Sequence, residues 1–145
     1  MKILIQRVLN ASVEVEKKCV GIINHGLLLY VCFEKDDQNQ MIEKATQKIT
    51  SLRIFEDENH KMNKNIIEAQ GSILSVSQFT LSWDGQKGNR PSFDKSLGPN
   101  EAKIMYTLFN QSLKEIGLNV QEGIFSADMK VTSTNDGPVT FMLQF

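Results

Sequence analysis

The sequence predicts an α+β fold: a mixed, largely antiparallel and barrel-like layer of strands with two main helices packed on it. Three observations point there. Patterned stretches follow the order strands, helix, strand, helix, strands, without the regular strand–helix alternation of a doubly wound sheet. Leu27 to Phe33 is an unbroken apolar run, Leu-Leu-Leu-Tyr-Val-Cys-Phe, as expected of a strand buried on both faces. Two other stretches repeat their apolar residues at helical spacing. At 145 residues the chain fits one domain, 1–145. A chain of that size buries roughly 68–70% of its unfolded surface without disulfide or metal staples.

Alternation over Ile3, Ile5, Val8, Ala11, Val13 and Val15 predicts strands from residue 3 to 15, with a bend at Asn10. Gly21 to Gly26 reads as a strand entering a hairpin turn, and Leu27 to Phe33 follows as the buried strand. Asp37 and Gln40 have capping-box spacing, so a helix is expected from about Gln38 to Leu52, burying Met41, Ile42, Ala45, Ile49 and Leu52. Residues 53–69 are mostly polar, and Ser72 to Leu81 reads as a strand. Pro99 after Gly98 opens a second helix, where its missing N–H costs nothing. Its expected buried stripe is Ala102, Met105, Leu108, Phe109, Leu113 and Ile116, with Gly117 as the stop. Three strands are expected to finish the chain: 118–125, 129–134 and 139–145.

Sixteen basic and seventeen acidic residues give a net charge of −1, which argues against gripping long nucleic acid through bulk electrostatics. DNA is therefore not an expected partner. Cys19 and Cys32 lie in strand-like runs without C-x-x-C spacing and read as small reduced core residues. The N-terminus is apolar for only three residues before Gln6 and Arg7, and no run approaches ~18 apolar residues. A cytoplasmic protein without membrane association is expected.

Familiar catalytic motifs are missing: there is no G-x-S-x-G elbow, Walker loop or G-x-G-x-x-G. The two histidines, His25 and His60, read as exposed turn residues, so neither metal nor cofactor is expected. Two stretches retain chemical interest. Ser77, Gln78 and Thr80 with Phe79 end a predicted strand, where main-chain N–H groups could form an oxyanion-type pocket; the plainer reading is a polar strand face in water. Lys87, Arg90 and Phe93 offer phosphate contacts and a stacking ring, or else an ordinary solvated loop. A third stretch, Asn135 to Thr140, reads as a tight turn. Pro138 is odd there, because it removes a donor where the next strand should start, and a Gly-Pro bond can be cis for about 0.5–1 kcal/mol.

Four stretches in order resemble the motifs of the D-aminoacyl-tRNA deacylase family: Ser77-Gln78-Phe79-Thr80-Leu81, Lys87 to Phe93, Gly123 to Met129, and Asn135-Asp136-Gly137-Pro138-Val139-Thr140. The similarity runs essentially the whole length, including Gln6-Arg7-Val8 and Leu52 to Asn63. Ser126 departs from the family's frequent glycine, and Trp83 stands at a variable position. The resemblance implies a homodimer in which each subunit presents a Gly-cis-Pro turn, here Gly137-Pro138, to its partner's active site. It further implies that Ser77, Gln78, Phe79 and Thr80 line a pocket for the 3′-terminal adenosine and aminoacyl group of a charged tRNA. Phe125 and Met129 would bound the adenosine, joined by Lys87, Arg90 and Phe93, and Arg7 would brace the turn.

An aminoacyl ester is already activated, so positioning a water and stabilising one oxyanion, worth about 2.7–4 kcal/mol per donor, would suffice. Carbonyls of Gly137 and Pro138 would hold the substrate amino group and exclude an L side chain, whereas the glycyl ester, lacking a side chain, would pass. Two alternatives remain: a dimeric RNA 3′-end binding module without catalysis, and a small esterase using Ser77 or Thr80.

Overall fold

The computed structural model describes residues 1–86 and 88–145. β1 (Lys2–Val15) is the spine, 14 residues long and paired with three other strands. β3 (Gly26–Cys32) pairs antiparallel with its first half and β2 (Lys18–Ile23) with its second, a bulge falling between Val13 and Glu14. β8 (Lys130–Gln144) pairs antiparallel with both halves and therefore takes the opposite edge. The predicted bend at Asn10 coincides with the β1/β8 register shift between Val8 and Asn10.

After β3 come α1 (Asn39–Ser51), a small hairpin of β4 (Phe55–Glu56) and β5 (Met62–Lys64), and β6 (Ser72–Ser77), which runs parallel to β3. α2 (Pro99–Glu115) and β7 (Val120–Glu122), parallel to β6, complete the path β2-β1-β3-β6-β7. β2 curls towards β6 and β7. Gly21 permits that approach, since a Cβ there would lie 3.1 Å from the Glu122 carbonyl and 3.2 Å from Leu74 Cδ1. The sheet is mixed and nearly closed, with the two main helices packed on it, as predicted.

The apolar run of β3 is buried on both faces. Leu27, Leu29 and Val31 join Ile3, Ile5 and the helix residues Ile42, Ile49, Phe109 and Leu113, whereas Leu28 joins Val8, Val13, Leu74 and Val76 inside the curl. Alternation along one strand thus feeds two cores.

Several expectations need correction. Asp37 does not cap α1; it binds the Met1 ammonium and the Glu34 N–H, and Gln38 takes the cap position without a side-chain bond. The buried face of α2 is Met105, Tyr106, Phe109, Asn110 and Leu113, whereas Leu108 and Ile116 are exposed. Cys19 is exposed and only Cys32 is buried; both are free thiols. Residues 129–134 and 139–145 are not two strands joined by a hairpin but one continuous strand, β8. The uninterrupted partner β1 holds both halves in line, and the Asn-Asp-Gly-Pro insertion is absorbed as irregular register between Gln6 and Val8.

Candidate functional site

The site starts where β6 stops. Gln78 N donates to Val31 O at 2.8 Å, the last rung between β6 and β3, and the chain then leaves the sheet in a 3-10 turn, Phe79–Ser82. The predicted strand therefore ends at Ser77, four residues short of Leu81. Phe79 and Thr80 open the turn, and the first N–H groups of any helical turn have no internal partner.

A cleft of about 650 Å³ lies here, between the ends of β3 and β6, the start of α2 and residues 123–129. Ser77, Gln78, Phe79, Phe93, Phe125 and Met129 all line it, so one cavity collects residues predicted from three separate motifs. Phe79 is 57% exposed and meets Phe93 edge-on at 5.0 Å, which puts an aromatic pair at the mouth. The Thr80 side chain is exposed, outside the lining, and accepts from Gln78 Nε2 at 2.7 Å. Arg90 is also exposed and outside the lining; Lys87 lies outside the described residues.

Some lining residues carried no functional signal in the sequence. Cys32 donates from Sγ to the Phe79 carbonyl at 3.5 Å, and burial pushes its thiol up to about 11, so it stays a protonated donor at neutral pH. Ala102 and Tyr106 come from the first turns of α2. Tyr106 donates from its hydroxyl to Ser75 O at 2.8 Å, and burial pushes its phenol up to about 12. Only the helical phase of α2 could have drawn attention to it. Ser126 has φ of +66°, which explains why glycine suits that position.

Away from the cleft, the Gly137-Pro138 peptide is cis and Gly137 has φ of +121°. Asn135 Nδ2 spans the irregularity, donating to Arg7 O at 3.0 Å and Val139 O at 3.1 Å. Arg7, 4% exposed, donates from Nη1 to Ile54 O at 2.7 Å. Its Nε lies 2.9 Å from Asp136 Oδ2 without the alignment of a hydrogen bond, so the contact is an ion pair by proximity. Neither Gly137 nor Pro138 lines the cleft. Arg7 pairs with Leu27, whereas the cleft begins at Val31.

Among the described residues no group of three or more His, Cys, Asp or Glu could hold a metal ion. Among the described residues no helix is long and apolar enough to cross a membrane. A family profile described as D-Tyr-tRNA(Tyr) deacylase matches residues 4–144. The D-aminoacyl-tRNA deacylase of Proteus mirabilis is 51% identical over 141 residues, 97% of each chain. That of Geotalea daltonii is 49% identical over 144 residues, covering 99% of this chain and 96% of its own. A solved structure titled "c-Myc DNA Unwinding Element Binding Protein" superposes with a TM-score of 0.95 at 36% identity, covering 100% and 99% of the two chains. One titled as a probable eukaryotic D-amino acid tRNA deacylase gives 0.85 at 17% identity over 98% and 97%, a likeness of fold alone.

Proposed function

The chain belongs to the D-Tyr-tRNA(Tyr) deacylase family, and on that premise we propose that it proofreads chirality, hydrolysing D-aminoacyl esters of tRNA and rejecting L-aminoacyl esters. It is a hydrolase whose curated relatives are named for D-aminoacyl-tRNA. The observation that carries the chiral part is the separation just described. The cleft has aromatic walls, and neither Gly137 nor Pro138 lines it, although Asn135 and Arg7 hold that segment in place. A homodimer brings the two together, each subunit's Gly137-Pro138 carbonyls entering its partner's cleft to hold the substrate amino group. An L side chain would then collide with the partner's backbone, and a glycyl ester would be cleaved for want of anything to exclude.

In the chemical step a water attacks the ester carbonyl, the developing oxyanion is held by the N–H groups of Phe79 and Thr80, and the bond to the ribose oxygen breaks. That oxygen leaves with a proton, the neighbouring ribose hydroxyl assisting, and free D-amino acid and tRNA are released. Ser77 and Gln78 shape the cleft around the ester, and Phe125 and Met129 flank the terminal adenosine. Arg90 and Phe93, with Lys87, serve the adjoining RNA. Arg7 acts at a distance by fixing the Gly-Pro segment. The reaction belongs in the cytoplasm, where charged tRNA is used.

The test is hydrolysis of matched D- and L-tyrosyl-tRNA by the purified protein, with a chelator present. Loss of the D-ester alone, unaffected by chelator, is the expected result. Survival of both esters while tRNA still binds would instead establish a non-catalytic RNA-end module.

A further inference from the structure

We propose that Tyr106 is a positioning residue for the adenosine wall of the cleft, fixing residues 123–129 through the main chain of Ser75. The inference rests on the tRNA-end function above and concerns a residue to which that function assigns no part.

The 123–129 segment carries two cleft walls, Phe125 and Met129, yet it belongs to no strand: β7 ends at Glu122 and β8 begins at Lys130. Its place is set by a few bonds. Gly123 N donates to Ser75 O at 2.9 Å, and the Tyr106 hydroxyl donates to the same oxygen at 2.8 Å. One carbonyl of β6 thus ties together the strand that leads into Ser77–Phe79, the helix that forms the far wall, and the irregular segment. Gly123 sits tightly in this junction, since a Cβ there would fall 2.6 Å from Met129 Sδ. The Tyr106 ring lies 5.9 Å from that of Phe125, so the hydroxyl sets the ring against which Phe125 rests.

One turn later α2 grips the same corner again. Asn110, 1% exposed, donates from Nδ2 to Glu122 Oε2 at 2.9 Å, and Lys114 pairs with the other Glu122 oxygen. Ser75 Oγ and Asn110 Oδ1 are buried in the same junction without partners. Tyr106 is 3% exposed, and no proton transfer is asked of it.

Tyr106→Phe tests this, because it keeps the ring and removes one donor. With D-tyrosyl-tRNA the expected outcome is a KM raised about three- to tenfold, the factor one buried neutral hydrogen bond is worth, with kcat unchanged within twofold. Preference for tRNA ending in adenosine over tRNA ending in guanosine should shrink by a similar factor, in hydrolysis and in binding of the uncharged tRNAs. Unchanged KM and preference, or a fall in kcat alone, would overturn the proposal. If the phenylalanine variant does not fold, 4-aminophenylalanine at 106 supplies a donor on the same ring. Wild-type KM and preference there support the hydroxyl's role, and a raised KM with lost preference overturns it. A wild-type enzyme that binds tRNA without cleaving the D-ester would refute the deacylase chemistry instead, and the binding comparison would still decide the case of Tyr106.

Discussion

Gly137 has little freedom to change. Its φ of +121° is a conformation L side chains rarely adopt, and a Cβ would lie 2.7 Å from Val139 Cγ2 and 3.2 Å from Arg7 Nη2. Gly137→Val should therefore displace the braced segment and reduce D-tyrosyl-tRNA hydrolysis by at least 100-fold, about 2.7 kcal/mol at the transition state, with the far-UV spectrum retained; activity within threefold of wild type would refute the role given to this segment. The two cysteines make a separate prediction. Cys19 is exposed, whereas Cys32 is 1% exposed with its thiol pushed up to about 11, so iodoacetamide at pH 8 should modify Cys19 and leave Cys32 and activity intact. The same shift has a consequence for stability. Because the folded pKa of Cys32 lies above its ordinary 9.0, and that of Tyr106 above 10.0, the native state keeps protons that the unfolded chain releases. Their contribution is complete below about pH 9 and is lost as pH rises towards 11 and 12. The urea midpoint should fall over that window, and fall less in Cys32→Ala. Sequence pattern reached Phe79, Phe125 and Met129 through motif resemblance. It could not reach Cys32 or Tyr106, because what makes them cleft residues is where β3 ends and how α2 is turned.

The rotation of α2 shows how far periodicity extends. Residues 102, 105, 109 and 113 suit a helical stripe, but so do 106 and 110 on its flank, and sequence pattern prefers leucine and isoleucine to tyrosine and asparagine as buried residues. Packing chose otherwise, because Tyr106 and Asn110 find partners in Ser75 and Glu122, and Leu108 and Ile116 were left outside. Leu108→Lys should accordingly change stability by no more than about 0.5 kcal/mol, whereas Leu113→Ala, at a site 0% exposed, should cost about 2–5 kcal/mol. Equal effects in urea titrations would restore the stripe expected from the sequence. β8 teaches the complementary lesson. Turn chemistry at Asn135 to Pro138 is real in the local sequence, and it was overridden by a 14-residue partner strand that could pair on both sides of the interruption.

β8 also bears on assembly. It pairs only with β1, so along its 15 residues the outer edge is unpaired among the described residues. Long exposed edges of this kind are ordinarily shortened, charged or covered. This one instead carries Phe141 at 40% and Met142 at 52% exposure, with the braced Gly137-Pro138 on the same strand. Those features favour a cover supplied by a second copy, which would bring the Gly-Pro segment of one subunit towards the cleft of the other by the same contact. The proposed chirality filter and the proposed dimer then stand or fall together. Phe141→Glu with Met142→Glu places charge on this strand without touching any cleft residue. Sedimentation should find the wild type as a dimer and the double variant as a folded monomer. Hydrolysis of D-tyrosyl-tRNA should fall with the dimer fraction and recover at high protein concentration. A monomeric variant that retains full activity and still rejects the L-ester would mean that each chain selects chirality alone, and that Gly137-Pro138 is braced for some other purpose.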